Sequence, residues 1–352
     1  MNTVCIPLNA NRIQQLQEYH DWIKKNPAEL NLTDYWEAHS KKITVKLKKD
    51  SVTLTGESGL YFPRKSNYYT RLRRFVTQAP INLSYWIFIL SRNLFKRPYD
   101  FLTTYPKAYE SVRRHDPLLR WEPSQSGVNW KELQNTILDF RTFLGMKNRW
   151  PASKTHILDD TMVKSYFYLQ LMESKIPSLR NTTVCEIGPG TGNMASLLHH
   201  HFNNKLFLVD LPKTFFFSFT FLTQFCPTAK IALPNRISGK NFDPKDYDII
   251  MLTPQQTSQI QNQSIDLAIN IHSMQEMNNE TTRSYFELID RIIKSGGHFF
   301  CSNRMEKIMD GKAIRFLDYP WRSETSTIIF EPDPLMRLVN LFPAYIRMEQ
   351  YP

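Results

Sequence analysis

Between Val184 and Leu198 the chain reads Val-Cys-Glu-Ile-Gly-Pro-Gly-Thr-Gly-Asn-Met-Ala-Ser-Leu-Leu, and these residue types limit what can bind there. Val184, Cys185 and Ile187 suit a buried strand, while Met194, Ala195, Leu197 and Leu198 form the apolar side of a helix. Between them Gly188, Pro189, Gly190, Thr191 and Gly192 make a turn where a ligand can lie against bare backbone amides at a helix N-terminus. The dinucleotide spacing G-x-G-x-x-G is not met, because the third glycine comes one residue early and Asn193 stands in its place. Glu186, two residues before the first glycine, would repel a pyrophosphate but could pair with an ammonium group. The turn therefore favours a cationic ligand. A dinucleotide or flavin site, and a turn that binds nothing, are the alternatives.

Three further positions could do chemistry. Asp210, followed by Leu211, closes the apolar run Leu206–Val209, and an acid at that strand end can take both hydroxyls of a ribose. Gln255 lies in the loop after Tyr247–Leu252, where it could read the edge of a base. His272 stands at the end of Ile265–Ile271, at the carboxyl edge where open α/β sheets place their chemistry. Its imidazole is suited to general-base work, and Glu276, four residues on, is expected to orient the ring or raise its basicity. His199, His200 and His201 are adjacent on a helix and point in different directions, so no metal site is expected from them. Asn303 could join an acid in a metal site. No G-x-S-x-G, H-E-x-x-H or phosphate-loop lysine occurs.

The order E-x-G-x-G-x-G resembles the first motif of the class I S-adenosylmethionine-dependent methyltransferases, whose glycine turn wraps the methionine part of the cofactor. That cofactor carries an α-ammonium and a sulfonium and no phosphate, as the acid in the turn demands. Ile271-His-Ser-Met-Gln-Glu-Met277 and Tyr319-Pro-Trp321 add a resemblance, over roughly residues 100 to 350, to the sugar O-methyltransferases found with surface-polysaccharide biosynthesis. The resemblance implies S-adenosyl-L-methionine as cofactor, held by Glu186, Gly188, Pro189, Gly190, Thr191, Gly192, Asp210, Leu211 and Gln255. It implies as acceptor a sugar hydroxyl that is free, nucleotide-linked or within a glycan. The role of His272 as base rests on its position. Base-amine methyltransferases often carry an (Asp/Asn)-Pro-Pro-aromatic tetrad where this chain has Asn270-Ile-His-Ser273, which argues against that acceptor. An RNA ribose or small-phenol methyltransferase, and a non-catalytic scaffold keeping the cofactor fold, are the rival readings.

To position these residues the chain must alternate strand and helix. Strands are expected at 184–187, 206–209, 247–252, 265–271 and 298–302, with a turn at 295–297 and helices at 213–225 and 285–293. Residues 325–330 and 342–348 can supply an antiparallel pair. The expected fold is α/β: a Rossmann-like seven-stranded methyltransferase sheet with an N-terminal, mainly helical cap. The domains read as an N-terminal extension (1–60), a helical cap for substrate recognition (61–180) and a catalytic domain (181–352). In the extension Ile13, Leu16, Tyr19 and Ile23 have helical spacing, and 41–49 alternates like an edge strand. Helices are expected near 130–144 and over 159–173, the latter with Met162, Tyr166, Leu169 and Met172 on one face. The phenylalanines of 213–225 read as core or as a dimer contact.

Length and composition agree with a folded soluble protein. The chain has 352 residues, 41% hydrophobic and 13% aromatic, enough for a substantial core and too apolar for a disordered segment. A formal charge of +11 suits an anionic partner such as nucleic acid, a sugar nucleotide, a phosphorylated glycan or an anionic membrane surface, or simply a basic but ordinary cytosolic enzyme. Aromatic and basic residues interleave from Tyr61 to about Arg120, which fits either a helical lid or, less readily, RNA binding. Four cysteines without C-x-x-C spacing read as reduced thiols of a cytoplasmic protein, and no secretory leader is expected after Met1. The longest apolar runs fall short of the roughly 20 residues of a membrane span. A peripheral membrane contact and a homodimer stay open.

Overall fold

The computed structural model describes residues 2–27, 43–56, 160–237, 242–309, 312–333 and 343–352. Most of the expected cap, including the basic aromatic stretch and the helix near 130–144, lies outside them, as do the side chains of 160–164, Met162 among them.

The glycine turn sits at the centre of an eight-stranded mixed sheet. Its strands are β4 (Thr183–Ile187), β5 (Lys205–Val209), β6 (Ile231–Ala232), β7 (Ile249–Leu252), β8 (Ile265–Ile271), β9 (Ile293–Arg304), β12 (Ser326–Pro332) and β13 (Ala344–Gln350), in the order β12-β13-β9-β8-β4-β5-β7-β6. The six strands from β4 to β9 run parallel, and β13 joins β9 and β12 antiparallel. This is the Rossmann-like, doubly wound arrangement expected, closed by the expected antiparallel pair. The order reverses between β4 and β8, so the carboxyl ends of those two strands flank the crevice where such sheets bind ligands. Central parallel strands are covered on both faces, which is why β4, β7 and β8 read as nearly unbroken apolar runs.

Several features differ from the expectation. The two-residue strand β6 pairs with β7 and makes the sheet eight-stranded rather than seven. The segment 295–297, expected as a turn, lies inside β9, where the β8–β9 register shifts between Ile265 and Leu267. Between β9 and β12 a hairpin of β10 (Glu306–Met309) and β11 (Lys312–Arg315) also appears, which the sequence pattern did not announce.

Five helices of the described residues build the outer layers: α2 (Asp160–Glu173), α3 (Asn193–Phe202), α4 (Phe215–Phe225), the short α5 (Pro234–Ile237) and α6 (Asn279–Ile292). Helix α6 starts six residues before the expected position, because Asn278 caps it by accepting from the Thr281 amide at 2.8 Å. Helix α4 is buried nearly all round, with Phe215, Phe216, Phe217, Phe219, Phe221 and Phe225 all buried. Such a helix needs cover on its outer side.

The N-terminal extension supplies that cover. Strands β1 (Asn2–Pro7), β2 (Thr44–Leu47) and β3 (Ser51–Gly56) form an antiparallel sheet in the order β1-β3-β2, joined by helix α1 (Ala10–Lys25), which buries Leu16, Tyr19 and Ile23. The Tyr19 ring lies 5.2 Å from that of Phe216, and its hydroxyl donates to the Pro212 carbonyl at 2.7 Å. Arg12 donates to the Ala229 carbonyl at 3.0 Å while its guanidinium covers the Phe219 ring at 5.7 Å. The phenylalanine-rich helix is thus core, buried between the sheet and α1.

Candidate functional site

The backbone of the glycine turn is left-handed three times over, at Gly188 (φ 72°), Gly190 (57°) and Gly192 (85°). At Gly188 the glycine is also sterically required: a Cβ there would lie 2.0 Å from the Ser273 hydroxyl oxygen. Gly190 differs, since a Cβ there would meet nothing within 4 Å. The turn is therefore packed from behind at its first glycine and open at its second.

Two acids frame this opening. Glu186 is buried and accepts from the Ala195 amide, satisfying an N–H of the first turn of α3, which has no side-chain cap of its own. Its Oε2 is also buried and meets no hydrogen-bond donor among the described residues. Burial and the nearby charge of Asp210 push the Glu186 carboxyl up to about 8. Asp210, half-buried at the end of β5, accepts from the Gly190 amide at 3.0 Å, the Leu211 amide at 2.7 Å and the Thr214 side chain. Burial outweighs these donors and raises its carboxyl to about 7, with Glu276 adding a smaller push. Carboxyls so disposed hold back their charge until a cation enters.

The loop after β8 is clamped to the turn by buried amides. Asn270 donates to the Ile187 carbonyl at 2.9 Å, and its oxygen accepts from the Met274 amide at 3.2 Å and from Asn303 at 2.8 Å. Asn303 in turn accepts from the Gln275 amide at 3.1 Å, and the Gln275 side chain accepts from the Arg304 amide at 2.9 Å. Asn303 thus fixes a loop. Among the described residues no group of three or more His, Cys, Asp and Glu side chains is placed to hold a metal.

This clamp sets His272 in a left-handed conformation (φ 58°), its amide donating to the Ser302 carbonyl at 2.7 Å. For a non-glycine residue that costs on the order of 1 kcal/mol, a strain typical of functional positions. The half-buried ring lies edge-on to Tyr168, centroids 6.0 Å apart, with Nε2 3.4 Å from the Tyr168 hydroxyl and 3.3 Å from Ser302 Oγ. Both hydroxyls donate to Asp333 Oδ2, Ser302 at 2.9 Å and Tyr168 at a shorter distance.

Here the sequence expectation needs a correction. Glu276 forms an ion pair with Lys307 of the β10–β11 hairpin at 3.2 Å, whereas Tyr168 and Ser302 are among the described residues that meet the His272 ring. Residues 274–276 form a 3-10 turn rather than a continuing α-helix, so the four-residue spacing does not bring the two side chains together as it would on one helix face.

The remaining predicted positions fall as follows. Pro189 and Thr191 lie within the turn, Pro189 giving its carbonyl to the Gly192 amide at 2.8 Å. Leu211 braces Asp210 through its amide. Gln255 is exposed on the 3-10 helix after β7, whereas Gln256 is buried, with hydrogen bonds to the Thr253 amide and the Pro234 carbonyl. Three residues escaped the sequence reading: Tyr168, Ser302 and Asp333. Tyr168 and Ser302 sat in predicted elements with nothing to distinguish them from packing residues, and Asp333, between two prolines, read as a connection. A carboxylate between prolines was the only available signal.

No protein-family model matches this chain, and no curated protein does. Solved structures that match include magnesium protoporphyrin IX methyltransferase from Synechocystis PCC 6803 with bound S-adenosylhomocysteine, at 9% identity and TM-score 0.41, covering 61% of this chain and 94% of that one. Geranyl diphosphate C-methyltransferase from Streptomyces coelicolor A3(2) matches at 11% identity and TM-score 0.40, over 58% and 86%. Phosphoethanolamine N-methyltransferase 2 of Haemonchus contortus matches at 12% and 0.33, over 60% of each. Likeness of this degree does not bear on what this chain binds or does.

Proposed function

We propose that this chain is an S-adenosylmethionine-dependent O-methyltransferase acting on a sugar hydroxyl. The observation that carries the reading is the buried Glu186 Oε2, without a donor among the described residues, beside a glycine turn open at Gly190. A buried carboxylate oxygen without a donor is costly, and a ligand ammonium removes that cost. The donor set around the turn fits this cofactor: three carboxylates, Glu186, Asp210 and Glu276, interact within the site, and a phosphate would face all of them. Asp210 has lone pairs left after accepting from the turn, which suit ribose hydroxyls. On this reading Gln255, exposed on the 3-10 helix after β7, is the residue assigned to the adenine edge. Bound there, the cofactor would supply an electrophilic methyl group on its sulfonium.

The protein's own part is alignment and proton removal. His272, one residue from the serine that backs the turn, is the base that takes the proton from the acceptor hydroxyl. The choice of a sugar as acceptor rests on the sequence resemblance of Ile271–Met277 and Tyr319–Trp321.

Calorimetric titration with S-adenosylhomocysteine, with NADH as control, tests the cofactor. Binding of the first and not of the second supports the reading; the reverse sinks it. Transfer of labelled methyl to sugar nucleotides and glycans, absent with RNA and small phenols, tests the acceptor.

A further inference from the structure

The N-terminal sheet has two unlike faces, and its register sorts the residues between them. Leu47, Val52 and Ile6 stand opposite one another on the apolar side, which shares a core with Leu16 and Tyr19 of α1. One residue along, Lys46, Thr53 and Cys5 are aligned on the outer face, because successive side chains of a strand point to opposite sides. Lys48, whose amide donates to the Ser51 carbonyl at 2.8 Å, continues that face beyond Lys46, and Lys49 stands in the turn. Thr44 and all three lysines are exposed.

This face carries charge of one sign. None of Lys46, Lys48 and Lys49 makes an ion pair among the described residues, whereas around the main sheet Lys294 pairs with Asp266, Arg315 with Glu306 and Arg322 with Glu324. The strands β1, β2 and β3 contain no Asp or Glu. Asp50, in the turn, already accepts from the Ser51 hydroxyl at 3.2 Å. Lys41 and Lys42 precede β2 in the sequence and lie outside the described residues. Unpaired ammonium groups set among hydroxyls complement a chain of anionic, hydroxyl-rich units. Nucleic acid is a poorer match, since the three strands have no Phe, Trp or Tyr on which a base could stack. A membrane is poorer too, because among the described residues no large apolar side chain stands on this face to enter a bilayer.

We propose that the outer face of the β1-β3-β2 sheet is a docking surface for an anionic glycan chain, held by Lys46, Lys48 and Lys49. The choice of a glycan rests on the methyltransferase reading; the basic face does not. Docking here adds binding energy remote from the reacting hydroxyl, so it lowers KM for a polymeric acceptor and leaves kcat alone.

The test uses the full chain and labelled oligogalacturonate, which carries a carboxylate on every sugar, with uncharged dextran as control. Binding is followed by fluorescence anisotropy at low and at high salt. We expect the oligogalacturonate to bind, more weakly at high salt, and dextran not to bind. The triple variant Lys46→Gln, Lys48→Gln, Lys49→Gln should bind at least about tenfold more weakly. Its substitutions are all at exposed positions, so its thermal unfolding should match that of the wild-type chain. A second triple variant, Lys230→Gln, Lys245→Gln, Arg283→Gln, removes the same charge from exposed positions around the main sheet and should keep wild-type affinity. Equal losses in the two variants would mean that the glycan follows net charge, and would overturn the proposal, as would no binding at all. Tighter binding of polyuridylate or of phosphatidylglycerol vesicles through the same three lysines would overturn the choice of partner. In turnover, the first variant should raise KM for a polymeric anionic acceptor about tenfold and leave kcat unchanged. A wild-type chain that binds oligogalacturonate through these lysines yet transfers no methyl group would uphold the docking face while removing the reaction assigned to the chain.

Discussion

Ser273 occupies the space that a side chain at position 188 would need. A Cβ on Gly188 would lie 2.0 Å from the serine oxygen and 2.4 Å from its Cβ, on a backbone that is already left-handed. The loop after β8 thus packs against the glycine turn at Gly188. Gly188→Ala should destabilise the fold by about 2–4 kcal/mol, from left-handed strain plus overpacking. Adding Ser273→Gly should recover the overpacking part and leave the strain. Gly190→Ala, with no neighbour to strike, should cost only about 1 kcal/mol of stability yet lose most S-adenosylhomocysteine affinity. Thermal unfolding and calorimetry on the four proteins separate these effects. Equal losses of stability at 188 and 190 would contradict the geometry.

Much of this was legible in the sequence because it is local. The strand–turn–helix around Gly190 is written in consecutive residues, and the parallel strands declare themselves as apolar runs flanked by breakers. Asp210 was legible for the same reason: it closes such a run. The network behind His272 was not, because Tyr168, Ser302 and Asp333 are brought together by topology alone, and a tyrosine in an amphipathic helix looks like packing. The expected Glu276–His272 pair failed through a local detail, a 3-10 turn where helical spacing had been assumed. The role of the N-terminal extension was also invisible, since no periodicity within it names the helix it covers.

The two acids of the turn make ligand binding depend on pH. Folding raises Glu186 from 4.5 to about 8 and Asp210 from 3.8 to about 7, so both hold their protons more tightly in the folded chain than in the unfolded one. The stability they contribute is complete below the unfolded values and is lost as pH rises through 7 to 8. A cationic ligand favours the ionised forms and must displace their protons. S-adenosylhomocysteine affinity should therefore rise roughly tenfold between pH 6 and 8.5, with proton release seen as a buffer-dependent heat. Glu186→Gln should flatten that dependence and make the unliganded protein more stable at pH 8. An affinity independent of pH would mean that the acids do not meet the ligand's cationic groups.

The ion pair between Glu276 and Lys307 ties the loop to the β10–β11 hairpin. Its side chains are only 13% and 16% exposed, so Glu276→Gln should cost about 1 kcal/mol, more than the near-zero value of a surface pair. The acid limb of kcat should stay where it is in this variant. Should Glu276→Gln move that limb, the carboxylate that governs His272 would be the one the sequence suggested.

Tyr19 tests whether the N-terminal layer is part of the catalytic fold. Its ring is fully buried against Phe216, and its hydroxyl satisfies the Pro212 carbonyl in the segment that leads from Asp210 into α4. Tyr19→Phe removes only the hydroxyl and should cost about 1 kcal/mol, chiefly the carbonyl left without its donor. Tyr19→Ala should cost about 3–5 kcal/mol, since it opens a cavity between α1 and α4. Helix α4 also lies under the turn, with Leu222 3.2 Å from where a Cβ on Gly192 would sit. Loosening it should therefore weaken ligand binding as well as stability. Urea unfolding with the slope held constant measures the first effect and calorimetry the second. If Tyr19→Ala unfolds within about 0.5 kcal/mol of the wild-type chain, the extension is not docked on α4 in solution, and the phenylalanine-rich helix must find its cover elsewhere.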